Sequence, residues 1–154
     1  MSLNRGKQWE MKVKECWHKT MPNSFILRLP DQQSGYHLSS NVSDYIAFKS
    51  PRLFLLECKS VLGNTIPFAN LTQYEKMLPY KDVENIFPGF MVWWVEHDVV
   101  AWVPVETVER MKKENKKSVN VKNLKDDGTI TIIPTVKKRI LLDCDFSILM
   151  RITK

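Results

Sequence analysis

Two acidic residues and a lysine occupy a part of the 154-residue chain where charge is unexpected. Asp44 is followed thirteen residues later by Glu57-Cys58-Lys59, at the end of a segment that is otherwise almost entirely apolar. Because Glu57 and Lys59 alternate with Cys58, a strand would point both charged side chains to the same face. Asp44 belongs to the neighbouring predicted strand, and we expect its carboxylate to approach that face.

Two carboxylates that converge on one point repel each other, which raises their proton affinity unless a cation lies between them. Mg²⁺ or Mn²⁺ suits this place, bound by Asp44, Glu57, the backbone carbonyl of Cys58 and water. Such an ion polarises a phosphate and helps to form the attacking hydroxide, while Lys59 orients the water or neutralises charge in the transition state. The group predicts phosphodiester hydrolysis. The alternative is a structural ion pair between Glu57 and Lys59.

Local periodicity predicts the elements that must position these residues. Trp9, Val13 and Trp17 recur at helical spacing, and Pro22 limits how far that helix extends. The first half of the chain is predicted to form a helix at 7–20, a strand at 24–29, a turn near residue 34, strands at 43–48 and 52–58, and a loop at 60–70. The second half is predicted to form a helix capped by Thr72, strands at 90–96 and 99–103 joined by a two-residue turn, and a helix at 104–117. In the tail, two short strands at 129–133 and 140–142 are predicted to pair with each other. The alternation of these elements predicts one α/β domain, residues 1–154, around a mixed sheet.

The chain carries 23 basic and 17 acidic residues, a net charge of +6. This balance favours polyanionic partners such as branched or duplex DNA. Many basic proteins simply have solvated lysine-rich surfaces, so charge alone leaves both interpretations open. The candidate phosphate contacts are Arg5, Lys7, Lys116, Lys117, Lys137, Lys138 and Arg139.

The three cysteines, Cys16, Cys58 and Cys144, are far apart and lack any CxxC spacing, so neither a zinc site nor a disulfide framework is predicted. Unpaired cysteines indicate a reducing, cytosolic compartment. The chain shows no secretory leader and no apolar segment of membrane-spanning length. We therefore expect a cytoplasmic protein that does not associate with membranes.

The pattern of Asp44, Glu57 and Lys59 resembles the Asp-x(n)-Glu-x-Lys signature of the PD-(D/E)XK nuclease superfamily. The rest of the chain is similar, at several separate points, to the RecU family of Holliday junction resolvases. These points are Asn4-Arg5-Gly6 followed by Glu10; Asp44-Tyr45 with Glu57 and Lys59; Pro67, Asn70, Gln73 and Met77; and, in the tail, Lys117-Ser118-Val119, Gly128, Pro134 and Arg139-Ile140. The resemblance spans nearly the whole chain.

The resemblance implies a restriction-endonuclease-like fold, a homodimer with two active sites, and paired metal-dependent nicks across a four-way DNA junction. It also implies that Glu10, on the first helix, is a metal-bound carboxylate or a partner that orients Lys59; Glu15 is the alternative. Gln73 is expected to hydrogen-bond a water or phosphate near the metal, since an amide both donates and accepts, or else is an ordinary exposed helix residue.

The histidines His18, His37 and His97 have no ligand spacing, so none is a predicted metal ligand. The tryptophans of the two late strands, Trp93, Trp94 and Trp102, are expected to pack in the core; base stacking by an outward one is the alternative.

One departure from the family concerns the long stalk that its members carry between the first helix and the catalytic aspartate. Here only residues 11–43 separate Glu10 from Asp44, which indicates a compact variant of the bacteriophage or prophage type, acting in a bacterial or phage-infected cytoplasm. Three hypotheses stay open. They are a RecU-like resolvase, a less selective PD-(D/E)XK nuclease that nicks linear or single-stranded DNA, and a catalytically silent DNA-binding module. The retained carboxylates and lysine argue against the third.

Overall fold

The computed structural model of the protein describes residues 4–30 and 41–154. A central six-stranded mixed sheet, in the order β1-β2-β3-β5-β6-β8, is flanked by helices on both faces. The elements are α1 Arg5–Thr20, β1 Phe25–Arg28, β2 Tyr45–Lys49, β3 Arg52–Val61, β4 Thr65–Pro67, α2 Tyr74–Met77, β5 Ile86–Trp94, β6 Val99–Pro104, α3 Val105–Lys113, β7 Ser118–Asn120, β8 Thr131–Ile132, β9 Thr135–Lys138 and β10 Leu141–Cys144. The predicted α/β fold is confirmed.

Helix α1 begins where the Asn4 side chain accepts a hydrogen bond from the backbone N–H of Lys7, at 2.8 Å, which satisfies one free donor of the first turn. Its apolar stripe, which includes Trp9, Val13 and Trp17, is buried against one face of the sheet. The helix ends at Thr20, two residues before Pro22, as predicted.

The two predicted strands are present as β2 and β3 and form an antiparallel hairpin, whose register decides which residues face each other. The last paired residues are Tyr45 and Leu56, so Glu57 and the rest of β3 pair only with β5. Along β3, Cys58 packs in the core under α1, whereas Leu55 packs in the core on the opposite face. Because side chains alternate along a strand, Glu57 and Lys59 share the face of Leu55.

The second face of the sheet is covered by α2, α3 and the β4–β7 pair. Val105, Val108 and Met111 of α3 pack against Phe90 and Trp94 of β5. All three tryptophans of the late strands are buried to 2 % exposure or less, which confirms the prediction that they are core residues.

Five local predictions were wrong. The predicted loop at 60–70 contains β4, which pairs with β7. Thr72 is not a helix cap: α2 is a single turn preceded by Gln73, with 3₁₀ turns before and after it. Helix α3 ends at Lys113, because Asn115 adopts a left-handed conformation (φ 63°).

The connection between β5 and β6 is longer than the predicted two-residue turn, since Val95–His97 form a 3₁₀ turn and Asp98 is left-handed (φ 50°). The tail strands also pair differently from the prediction. β8 extends the central sheet beside β6, and β10 forms a hairpin with β9. The predicted turn near residue 34 and His37 lie outside the described residues.

No helix in the described part of the chain is long and apolar enough to cross a membrane. The cysteines are free thiols, and all three are buried.

Candidate active site at the open end of the β2–β3 hairpin

Asp44 lies immediately before β2, at the point where the pairing of β2 with β3 ends. Its carboxylate oxygen Oδ2 accepts a hydrogen bond from the backbone N–H of Cys58 at 2.8 Å. Since the N–H and C=O of one strand residue point to the same side, the Cys58 carbonyl is also left on the side where β2 has ended. Extending the register by one residue places Asp44 opposite Glu57.

The Glu57 carboxyl group is buried, with only 5 % of the residue exposed. Burial, followed by the neighbouring Asp44 carboxylate, raises the pKa of Glu57 to about 8 from its ordinary value of 4.5. Its oxygen Oε2 has no hydrogen-bond partner among the described residues. A buried, unpartnered carboxyl oxygen beside a second carboxylate is the environment that a bound cation would relieve.

Lys59 follows on the same face, and its ammonium acts against these effects by lowering the pKa of Glu57. The residue is partly exposed, and within the described ranges its ammonium makes no salt bridge. The amine is thus adjacent to the carboxylate pair without being neutralised by it, as expected for a group that acts on an incoming anion.

Glu10 approaches the site from α1 but is held by another residue. Its Oε2 accepts hydrogen bonds from Nη2 and Nε of Arg28, at 2.8 and 3.3 Å. The Tyr45 hydroxyl donates to the backbone carbonyl of Glu10 at 2.9 Å, which fastens α1 to the start of β2. Burial raises the pKa of Tyr45, so this hydroxyl stays a donor. Glu10 also contributes to the raised pKa of Glu57.

The predicted metal ligands are therefore only partly brought together. Asp44, Glu57 and the Cys58 carbonyl share the end of the hairpin, and these oxygen donors suit Mg²⁺ or Mn²⁺. Within residues 4–30 and 41–154, no three His, Cys, Asp or Glu side chains form a metal-binding group, because Glu10 is turned towards Arg28. The alternative helical carboxylate, Glu15, pairs with Lys19 and Lys12 on the outer side of α1.

Among the described residues, neither Gln73 nor His18 nor His97 forms a hydrogen bond with Asp44, Glu57 or Lys59. Gln73 precedes α2, where its backbone carbonyl accepts from Met77, and its side-chain amide forms no hydrogen bond with the described residues. His18 is exposed on α1, and His97 Nε2 lies 2.6 Å from Oδ1 of Asn64.

All seven predicted DNA-contacting residues are exposed, but they do not form one patch. Arg5 and Lys7 lie in the first turn of α1, whereas Lys116 and Lys117 follow α3 on the other side of the sheet. Lys137, Lys138 and Arg139 belong to the β9–β10 hairpin. Lys116 pairs with Glu114 at 3.2 Å and Lys137 with Asp98 at 3.0 Å.

Arg28 and Tyr45 are the site residues for which sequence reasoning assigned no role. A role for Arg28 could have been predicted, because it is the one charged residue of the short strand Phe25–Arg28. The same kind of pattern singled out Glu57, which interrupts an apolar strand. Tyr45 appeared only as part of the Asp44-Tyr45 motif, with no role of its own, since a tyrosine at the start of a buried strand is ordinarily a core residue.

No protein-family model matches the chain, and no curated protein matches it. Among solved structures it is similar to Hjc, a Holliday junction resolvase from the archaeal hyperthermophile Archaeoglobus fulgidus. The match has a TM-score of 0.54 and 14% sequence identity, and it covers 75% of this chain and 88% of that one. At this identity the likeness shows that the two chains share a fold.

Proposed function

We propose that this protein is a divalent-metal-dependent endodeoxyribonuclease of the PD-(D/E)XK type. The observation that carries the proposal is the convergence of Asp44 and Glu57 at the open end of the hairpin, where Glu57 keeps a buried oxygen without a partner. A structural ion pair would not leave that oxygen unsatisfied, because buried polar atoms are ordinarily hydrogen-bonded.

Each residue of the group has a role in this proposal. Asp44, Glu57 and the Cys58 carbonyl would hold Mg²⁺ or Mn²⁺. The metal, when bound, supplies Lewis-acid activation of the scissile phosphate and of the attacking water. Lys59 donates to a phosphate oxygen and offsets the negative charge that builds up in the transition state. Glu10 is the third carboxylate.

For the substrate, we propose branched DNA, with paired nicks across a four-way junction made by two active sites of a homodimer. Two independent similarities support this choice. The sequence motifs resemble those of RecU resolvases, and Hjc, which shares the fold, is itself a Holliday junction resolvase. The exposed basic residues would contact phosphates of the DNA arms.

Substitution of the two carboxylates tests the proposal. Asp44→Asn and Glu57→Gln should each reduce Mg²⁺-dependent cleavage of a synthetic junction by about a thousandfold, equivalent to roughly 4 kcal/mol, because each removes a charged ligand. DNA binding and the circular dichroism spectrum should be retained. Glu15→Gln is the matched control and should cleave at the wild-type rate, and cleavage by Glu57→Gln at that rate would refute the proposal.

A less selective nuclease is the second candidate, favoured by the short segment between Glu10 and Asp44, part of which is already used by α1 and β1. Equal cleavage of a junction and of a duplex of the same length would select it. A silent DNA-binding module is the third, favoured by the engagement of Glu10 with Arg28. Binding without cleavage under any divalent ion would select that one.

A further inference from the structure

Two of the three buried cysteines lie against each other between α1 and β10. Cys16 belongs to α1 and Cys144 ends β10, 128 positions further along the chain. The backbone N–H of Cys144 donates to the sulfur of Cys16 at 3.3 Å, and the two thiols are also hydrogen-bonded to each other. Both sulfur atoms approach the carbonyl oxygen of Leu142, at 4.0 Å from Cys16 and 3.9 Å from Cys144. The fold thus makes neighbours of two thiols that are distant in sequence.

The surroundings of this pair make its two thiols chemically unequal. The thiol and the backbone N–H of Cys144, together with the charge of Lys12, lower the pKa of Cys16 to about 7, although burial acts in the opposite direction. The same thiol–thiol hydrogen bond and burial raise the pKa of Cys144. Lys12 is positioned by Asp143, whose Oδ1 lies 2.6 Å from the ammonium nitrogen. Cys16 is therefore the thiol that ionises and attacks, and Cys144 is the one that keeps its proton.

Cys58 provides a contrast within the same chain. It lies on β3 in the central sheet, where burial raises the pKa of its thiol well above the ordinary value. β9 and β10 instead form a separate two-stranded sheet, in which Val136 and Ile140 are 60% and 78% exposed. A hairpin of this kind depends on its packing against α1 and opens at a lower free energy than the core strands. Such opening admits a small reagent to the thiol pair but not to Cys58.

We propose that Cys16 and Cys144 are a redox modification site, at which hydrogen peroxide converts the thiol pair into a reversible disulfide that fastens the β9–β10 hairpin to α1. The inference goes beyond the proposed function and does not depend on it. In a reducing cytoplasm the pair stays reduced, and disulfides that form there are mostly transient and redox-sensing.

The reaction has two steps. The Cys16 thiolate attacks one oxygen of hydrogen peroxide, the O–O bond breaks, and the hydroxide that leaves takes up the proton released by Cys16. Cys16 is then a sulfenic acid. The sulfur of Cys144 attacks the sulfur of Cys16, the S–O bond breaks, and the hydroxyl group leaves as water with the proton of Cys144. Two thiols are oxidised to one disulfide, and one peroxide is reduced to two water molecules. Small thiols reverse the reaction by thiol–disulfide exchange.

Thiol counting on the full chain tests the site. After brief exposure to a small excess of hydrogen peroxide, the wild type should lose two of its three thiols, and peptide mass spectrometry should find Cys16 joined to Cys144. Dithiothreitol should restore both thiols. Cys58→Ala is the matched control and should form the link at the wild-type rate. Oxidation of Cys58 ahead of the pair, or a link only between two chains, would overturn the inference.

Alanine variants separate the roles of the two thiols. Cys144→Ala should form a sulfenic acid at Cys16, trapped by dimedone, roughly tenfold more slowly than the wild type forms its link, because the thiol–thiol hydrogen bond that lowers the pKa of Cys16 is lost. Cys16→Ala should leave Cys144 unreacted. Circular dichroism checks that both variants fold. Equal reaction of the two variants would overturn the assignment of Cys16 as the attacking sulfur.

Urea unfolding measures the fastening of the hairpin. A link between residues 128 positions apart restricts the unfolded chain, so the oxidised wild type should unfold at a higher urea concentration than the reduced wild type. Cys16→Ala, treated with peroxide in the same way, should show no shift, which separates the link from oxidation elsewhere. Equal unfolding midpoints for the oxidised and reduced wild type would overturn the proposed fastening.

Discussion

Two regions of the molecule are rich in ionisable side chains: the end of the β2–β3 hairpin, and the basic segments at residues 116–117 and 137–139. They differ in how far these side chains are buried. At the hairpin end, Glu57 is buried and keeps an oxygen without a partner, and its pKa is strongly raised. In the basic segments, the side chains are exposed, and Lys116 and Lys137 each pair with an acidic neighbour.

This difference in burial distinguishes a candidate functional site from an ordinary charged surface. Burying a carboxyl oxygen without a hydrogen-bond partner costs about 1 to 3 kcal/mol, and groups with strongly shifted pKa values cluster at functional sites. Exposed ion pairs contribute about 0 to 1 kcal/mol and occur on most proteins. The hairpin end therefore carries the functional argument, and the basic segments gain a role only because they accompany it.

The largest expected effect concerns Lys59, whose ammonium lies next to the Asp44–Glu57 pair. Lys59→Met should lower the cleavage rate by about a thousandfold at saturating DNA, because the transition-state charge loses a preorganised donor. Single-turnover cleavage measures this effect. Lys19→Met, an exposed lysine on α1 paired with Glu15, is the control and should have no effect. A wild-type rate in Lys59→Met would show that Lys59 takes no part in cleavage, and the hairpin end would then be no different from an ordinary charged surface.

A second prediction concerns stability and pH. The folded chain holds the Glu57 proton more tightly than the unfolded chain, since the pKa rises from 4.5 to about 8. The stabilisation is complete below the unfolded pKa and is lost as pH rises through the folded pKa. The wild type should thus lose roughly 5 kcal/mol relative to Glu57→Gln between these pH values.

Urea unfolding of both proteins across this range measures the difference, and the other titrating groups cancel in the comparison. Saturating Mn²⁺ should reduce the loss in the wild type, because a cation stabilises the ionised carboxylate. Parallel pH profiles for wild type and Glu57→Gln would contradict the raised pKa and weaken the contrast between the two regions.

The smallest effect is expected within the basic segments, where Lys137 and Lys138 form a matched pair on β9. Lys137 is engaged with Asp98, whereas Lys138 makes no salt bridge with the described residues. Lys138→Gln should reduce the salt dependence of DNA binding by about one counterion, and Lys137→Gln by less. Fluorescence anisotropy over a range of salt concentrations checks this. Equal effects would mean that the ion pair with Asp98 does not weaken the contact of Lys137 with DNA.

Several features of the fold and the site followed from local patterns. Helical spacing of apolar residues located α1, and short apolar runs located β2, β3 and the late strands; β2 and β3 were expected to be neighbours because they are adjacent in sequence. The β4–β7 pairing was not predictable in this way, because its strands are about fifty residues apart and each is only three residues long. Short strands depend on their partners more than on their own composition.

The amino-acid sequence by itself determined that Glu57 and Lys59 share one face of a strand, since a period of two residues is enough to fix that. Only the tertiary structure decided that Asp44 accepts from the Cys58 amide, that Glu57 is buried and that Glu10 is held by Arg28. These contacts depend on how α1 packs on the sheet and on where the pairing of β2 with β3 ends. Both are set by packing across the whole core, which no local pattern in the sequence reveals.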